Sequence, residues 1–223
     1  MNKKNILILS GVDSSDNYEA LKYIKEKYPK FKKLCYVPAQ EEGSKDEFKQ
    51  IKKDFKTKLK FTNLVCTPLE SLSAGDVKKR ILDADVLFLG GGNTFDFYEN
   101  LQAKKLSSTL KKFLAEGKLI IGLSAGGILL TPSLMMACYP SKDADEYNSN
   151  LKNLKGYGYL PFEVCPHYKN SKQMNKDLIT YSALHDLPVY GVRDGGFIAL
   201  DEAGSFYSLG TPMFYRGEKL RLN

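Results

Sequence analysis

The amino-acid sequence predicts an α/β fold: a mostly parallel sheet sandwiched by helices, with a small β-rich edge at its C-terminal end. Two observations carry this. Between residues 6 and 123, short apolar runs alternate with longer amphipathic stretches, the pattern of strands and helices in a sheet covered on both faces. Beyond residue 190, short aromatic and aliphatic runs are separated by turn signals at Gly204 and Gly210, the pattern of antiparallel strands.

Taken in order, Ile6–Leu9 is the first strand. Residues 17–28 place Ala20, Leu21, Ile24 and Tyr28 at helical spacing, and Pro29 ends that helix. Leu34–Val37 is the second strand. Residues 45–58 put Phe48, Ile51 and Phe55 on one helical face and lysines on the other. Leu64–Cys66, Val86–Leu89 and Leu119–Leu123 complete a set of five buried parallel strands. A short helix over 74–82 and one longer helix over 95–115 connect them. Residues 137–158 are polar and rich in Tyr and Gly, which reads as a long loop. A helix over 171–184 lies between strands near Val164 and at Val189–Val192. Phe197–Leu200, Ser205–Leu209 and Met213–Tyr215 then form a small antiparallel meander. No repeat, low-complexity tract or linker divides the chain, so residues 1–223 are expected to be a single domain.

Composition narrows the function. At 223 residues, 43% of them hydrophobic and 26% charged, the chain can bury a core without disulfides or metal. No apolar run approaches the roughly 18–20 residues that span a bilayer. Ile6–Leu9 falls short of the about 7–15 apolar residues of a signal peptide, so a cytoplasmic protein is expected. Cys35, Cys66, Cys138 and Cys165 form no C-x-x-C pair. Cys35, Cys66 and Cys165 lie in apolar strands, as buried reduced thiols do. With only His167 and His185, a His-rich metal site is excluded. Asp143, Asp145 and Glu146 read as a solvated loop, so no metal is expected. Neither a G-x-x-x-x-G-K-[ST] nor a G-x-G-x-x-G pattern occurs, which disfavours nucleotides, and no cofactor is expected. The net charge of +7 comes wholly from residues 1–80. That third has Lys-rich helices whose aromatics read as core and whose lysines read as a solvated face. It has no recognised nucleic-acid module, so no nucleic-acid partner is expected.

Chemistry concentrates later. Gly122-Leu123-Ser124-Ala125-Gly126 joins an apolar strand to a helix, a G-x-S-x-G pattern that exposes a serine on a tight turn. Gly90-Gly91-Gly92-Asn93-Thr94 follows the preceding strand, so two Gly-rich turns are expected side by side at the carboxyl edge of the sheet, where α/β sites lie. One backbone N–H from each turn forms an oxyanion hole in such an arrangement. His167, just after a strand and a proline, is the better placed base. His185 sits at a helix end, where histidine is common for capping and dipole reasons. Asp194, again after a strand, is placed to orient an imidazole, although taken alone a D-G turn is the favoured explanation of it. The chain order Ser124, His167, Asp194 differs from the Ser, Asp, His order of α/β-hydrolases.

These segments resemble the S51 serine peptidases, the family of aspartyl dipeptidases and, more distantly, cyanophycinases. The resemblance rests on Leu89–Phe95, Gly122–Gly126, Pro166-His167 and Gly191–Gly195, and is clearest over residues 85–200. It implies a fold similar to the class I glutamine amidotransferases (flavodoxin-like), with no cofactor. It implies Ser124 as nucleophile, His167 as general base, Gly92 and Ala125 as oxyanion donors, and Asn93 and Thr94 as substrate-binding residues. Asp194 stands where family members carry a glutamate as third catalytic residue. Met135 and Tyr139 replace a family arginine and aspartate, with Asp143 or Asp145 in the next loop as possible substitutes. That change leaves Asp-X cleavage open.

The expected function is a serine peptidase hydrolysing short peptides through an acyl-enzyme, as a monomer or small homo-oligomer. Hydrolysis of another amide, isopeptide or ester, and non-catalytic binding on the same fold, stay open. Every catalytic candidate lies beyond residue 89, so the basic first third reads as scaffold.

Overall fold

Pleating turns alternate residues of a strand to opposite faces, so a run that is apolar throughout needs cover on both sides. In a computed structural model, which describes residues 4–11, 17–42, 44–139, 144–147 and 151–220, five such runs pair in parallel. They are β1 (Asn5–Leu9), β2 (Lys33–Val37), β3 (Asn63–Cys66), β4 (Val86–Leu89) and β5 (Leu119–Leu123), in the order β3-β2-β4-β5-β1. On one face Leu7, Leu34, Tyr36, Phe88 and Ile121 pack with Leu21 and Ile24 of α1 (Tyr18–Lys27) and Ile51 and Phe55 of α2 (Ser44–Thr57). On the other, Ile6, Ile8, Val37, Leu87 and Ile120 pack with Val77 and Ile81 of α3 (Ala74–Asp83). Phe97 of α4 (Thr94–Ala103) and Phe113 of α5 (Ser107–Ala115) complete that layer. The lysines of α1 and α2 are exposed and Tyr28, Phe55 and Phe61 are buried, the core-and-solvated-face arrangement expected of the basic third.

The structure departs from expectation in three places. The single helix expected over 95–115 is two helices. Lys105 takes φ 54°, its N–H donates to Gln102 O and the Leu106 N–H to Leu101 O. That is a Schellman ending formed without glycine, which drops Leu106 into the core. Second, β3 is an edge strand and only partly buried, which leaves the Cys66 thiol half-buried while Cys35 and Cys165 are buried. None of the four cysteines is in a disulfide. Third, the C-terminal meander is divided between two sheets. β8 (Phe197–Leu200) pairs antiparallel with β1, and β9 (Phe206–Leu209) antiparallel with β8. The chain then turns at Gly210, with φ 67°, and Gly191 N–H donates to Pro212 O at 3.0 Å. That contact delivers the next residues to a second sheet.

The second sheet has the order β11-β10-β7-β6. It is built from β6 (Glu163–Cys165), β7 (Val189–Gly191), β10 (Met213–Tyr215) and β11 (Glu218–Leu220). Helix α7 (Lys172–Leu184) covers it through Met174, Leu178 and Tyr181. Between the sheets run the short α6 (Ala125–Ile128), a 3₁₀ turn at Met135–Cys138, and a stretch that, where described, makes one isolated bridge, Ser133 with Lys155. No helix among the described residues is long and apolar enough to cross a membrane.

Two glycines separate tolerance from constraint. A Cβ on Gly126 sits 2.4 Å from Leu89 O, against backbone that cannot yield. A Cβ on Gly75, exposed in the first turn of α3, meets nothing closer than Ser73 Oγ at 3.7 Å. Gly75→Ala is therefore expected to stabilise the protein by up to about 1 kcal/mol by restricting the unfolded chain. Gly126→Ala is expected to lose more than about 3 kcal/mol or fail to fold. Urea denaturation of both variants checks the pair.

Candidate active site

β5 ends at Leu123 and α6 begins at Ala125, so Ser124 alone turns the chain. Its φ of 48° and ψ of −111° are rare for a residue with a side chain and cost on the order of 1–3 kcal/mol. The turn is held from both sides. Ser124 N–H donates to Leu9 O of β1 at 2.9 Å, and Gly126 N–H donates to Gly90 O of the neighbouring turn at 3.2 Å. A Cβ on Gly122 would meet Gly126 O at 2.6 Å, so the elbow closes only because that side chain is missing.

His167 follows β6 and also has positive φ, 53°. Its ring lies between two of the predicted residues. Nε2 is 3.0 Å from Ser124 Oγ, and Nδ1 is 2.9 Å from Asp194 Oδ1. About half of each side chain of His167 and Asp194 is exposed, 47% and 51%, so the array faces solvent from the carboxyl ends of its strands. Partial burial alone would raise the Asp194 carboxyl. Hydrogen bonds from Ser10 and His167, together with the charges of His167 and Lys169, outweigh it and hold the carboxyl below the usual aspartate range.

Ser10 is one residue that sequence reasoning missed. Fully buried at the end of β1, its Oγ donates to Asp194 Oδ1 at 2.7 Å and accepts the His167 N–H at 2.6 Å. One hydroxyl thus ties two of the array's residues to the central sheet. The signal was present: Ser10-Gly11 ends β1 as Ser124 ends β5, and adjacent parallel strands present their carboxyl ends to one crevice.

The two Gly-rich turns lie side by side. The point where a Cβ on Gly91 would sit is 3.8 Å from Ser124 Cβ. Gly92 has φ 137°, with Ala39 Cβ 2.7 Å from its own Cβ position. Among the described residues, the N–H groups of Gly92 and Ala125 donate to no protein acceptor.

Other candidates are used structurally. Asn93 caps α4, its Oδ1 accepting from Phe95 N and Asp96 N, while its Nδ2 donates to Glu146 O at 2.8 Å. Thr94 is buried and its N–H donates to Asp145 Oδ2 at 2.8 Å. Asp145 therefore serves the helix N-terminus, and Asp143 lies outside the described residues. Met135 and Tyr139 pack against the core of the second sheet, Tyr139 edge-on to Tyr181 at 4.9 Å. His185 caps the end of α7 and stacks on Tyr181 at 4.1 Å.

A cleft of about 350 Å³ opens over the array. Ser10, Gly91, Gly92, Ser124 and His167 line one side, and Tyr36, Gln40, Glu42 and Glu47 are among those lining the other. The first third of the chain is therefore not scaffold alone: it supplies Ser10 and one wall, because β1 and β2 end at the same sheet edge as β4 and β5.

Comparison with known proteins agrees with this architecture. The model of peptidase family S51 matches residues 6–206. The peptidase YgaJ of Bacillus subtilis is 26% identical over 76% of this chain and 70% of its own length. Peptidase E of Streptomyces coelicolor is 27% identical over 57% of this chain and 53% of its own. A probable alpha-aspartyl dipeptidase of Drosophila melanogaster is 28% identical over 54% and 51%. The chain thus spans about half the length of several curated relatives it matches. A Listeria monocytogenes structure solved as a candidate peptidase E superposes with a TM-score of 0.73 at 20% identity, over 93% of this chain and 98% of that one. With a family match over most of its length and the same fold as that structure, this chain belongs to peptidase family S51.

Proposed function

We propose that this chain is a serine peptidase acting on short peptides, with Ser124 as nucleophile, His167 as general base and Asp194 as the group that orients it. The observation that carries the reading is the unbroken hydrogen-bonded line from Ser124 Oγ through the His167 ring to Asp194 Oδ1. An ionised Asp194 accepts from Nδ1–H, which leaves the Nε2 lone pair for the serine hydroxyl. Ser124 Oγ attacks the scissile carbonyl as its proton passes to Nε2. The carbonyl oxygen takes up the negative charge beside the N–H groups of Gly92 and Ala125. Collapse breaks the C–N bond, and the imidazolium returns the proton to the departing amine. Water, deprotonated by the same nitrogen, then cleaves the acyl-enzyme.

The cleft also bears on the substrate. Among the described residues that line it there is no lysine or arginine, and the positions of the family arginine and aspartate, Met135 and Tyr139, are spent on packing. None of the described lining residues is built to pair with an aspartyl side chain, so the reading is of short peptides without that requirement.

A fluorophosphonate should label Ser124 in the wild-type protein and label neither Ser124→Ala nor His167→Ala; an unlabelled wild type overturns the assignment. Asp194→Asn keeps the shape but favours the wrong tautomer, and should lower kcat by about 10³–10⁴-fold with KM little changed. Ser10→Ala removes two hydrogen bonds behind the array and should lower kcat about tenfold or more. In that variant the Asp194 carboxyl should move back up toward the ordinary aspartate range, which carboxyl NMR titration reads directly. A Ser10→Ala protein with wild-type kcat and an unmoved Asp194 would show that Ser10 only fills space.

A further inference from the structure

We propose that Glu47 determines specificity, its carboxylate receiving a positively charged group of the substrate, an ammonium or guanidinium, beside the scissile bond. The proposal rests on Ser124 being the nucleophile. Glu47 projects from the first turn of α2 across the glycine turn that follows β4. Its Oε2 lies 3.7 Å from the Cβ position of Gly91, and Ser124 Cβ lies 3.8 Å from the same point. The carboxylate and the serine therefore both flank one glycine and line the same cleft. A Cβ on Gly90 would approach Oε1 to 2.8 Å, so the glycines of this turn make room for the carboxylate as well as for the backbone.

Glu47 is held in place. Tyr36 OH donates to Oε1 at 2.8 Å and Gly91 N–H reaches the same oxygen at 3.4 Å. Tyr36 is itself fixed by stacking on Phe48 at 5.4 Å and by contact with Phe88 at 6.0 Å. Both donors serve Oε1, and among the described residues Oε2 accepts no hydrogen bond. Among the described residues no lysine, arginine or histidine ion-pairs Glu47, in a chain of net charge +7. Among the described residues, the same wall carries Glu42 and no basic side chain. A half-buried carboxylate with one oxygen anchored, the other open to the cleft and no cation of its own suits a charged ligand group better than a structural role. Burial pushes the Glu47 carboxyl up, against the pull of the Tyr36 and Gly91 hydrogen bonds; an arriving cation favours the ionised form.

Two substrate groups bring that charge to this place. The free α-ammonium of a peptide's first residue is one carbon from the carbonyl that Ser124 attacks. The side chain of a lysine or arginine folded along the cleft brings it from further out.

Four substrates separate the two sources: Ala-Leu, N-acetyl-Ala-Leu, Lys-Leu and N-acetyl-Lys-Leu, with kcat and KM measured for wild type and Glu47→Gln. In the wild type, an α-ammonium subsite gives a kcat/KM about tenfold or more higher for each free peptide than for its acetylated form. A side-chain subsite instead gives that advantage to N-acetyl-Lys-Leu over N-acetyl-Ala-Leu. Either result supports the proposal if Glu47→Gln, which keeps the size and loses the charge, brings the ratio close to one. Fluorophosphonate labelling of the same preparations keeps the two readings apart. An enzyme that labels at Ser124 yet cleaves all four alike, cleaves none of them, or keeps its preference in Glu47→Gln overturns the subsite alone. An enzyme that neither labels nor cleaves overturns both.

Discussion

Gly90–Asn93 and Gly122–Gly126 end neighbouring parallel strands and press together until a single methyl group has no room between them, as the 2.4 Å separation of the Gly126 Cβ position from Leu89 O shows. The rest of the cleft depends on that contact. It sets how near the Ser124 turn can lie to the turn of Gly91 and Gly92, supports the strained backbone of Ser124, and leaves above Gly91 the gap that Glu47 reaches across. Close packing of this kind is brittle, because interiors at crystalline density adjust by shifts and not by compression. It is also what a catalytic array needs, since misplacement by an ångström is costly.

Strain recurs at both residues proposed to exchange the proton. Ser124 and His167 each sit at positive φ, and neither is glycine. Each is tied into the sheets by neighbouring backbone: Ser124 through Leu9, and His167 through Tyr168, whose N–H donates to Val192 O at 3.0 Å. Ser10 joins these restraints with one hydroxyl. Hydrogen bonds and burial in the surrounding sheets outweigh the local cost, which is the usual bargain at sites where geometry matters more than stability.

Much of this was legible in residue order. The five parallel strands follow from apolar runs, since side-chain alternation and two-sided cover leave few alternatives. The positions of Ser124, His167 and Asp194 follow from polar residues just past strand ends. Three things were not legible, each for a physical reason. The break between α4 and α5 has no glycine or proline to mark it, only a lysine in a conformation that tertiary packing of Leu106 makes worthwhile. The parting of the C-terminal strands depends on which edges are free in three dimensions. Ser10, Glu47 and Tyr36 escaped notice because the site is assembled by strand order β2-β4-β5-β1 and not by chain order. Residues from the basic first third reach the cleft only once β1 has been placed beside β5 and β2 beside β4. The same distance hides the capping of α4 by Asp145, which from sequence alone is one acid in a polar loop.

The place of β1 governs when the molecule comes together. It precedes both of its neighbours, β5 and β8, and the latter begins at Phe197. The bond between Ser10 and Asp194 spans 184 positions. A chain emerging from the ribosome must therefore hold β1 with one edge unmated until β8 has followed it. Long-range pairings of this sort close slowly because the entropy of the intervening loop is lost before the contacts form. The hydrogen bonds that join Ser10 and His167 to Asp194 form only once Asp194 has been made, so a chain cut short of it carries Ser124 and His167 without them.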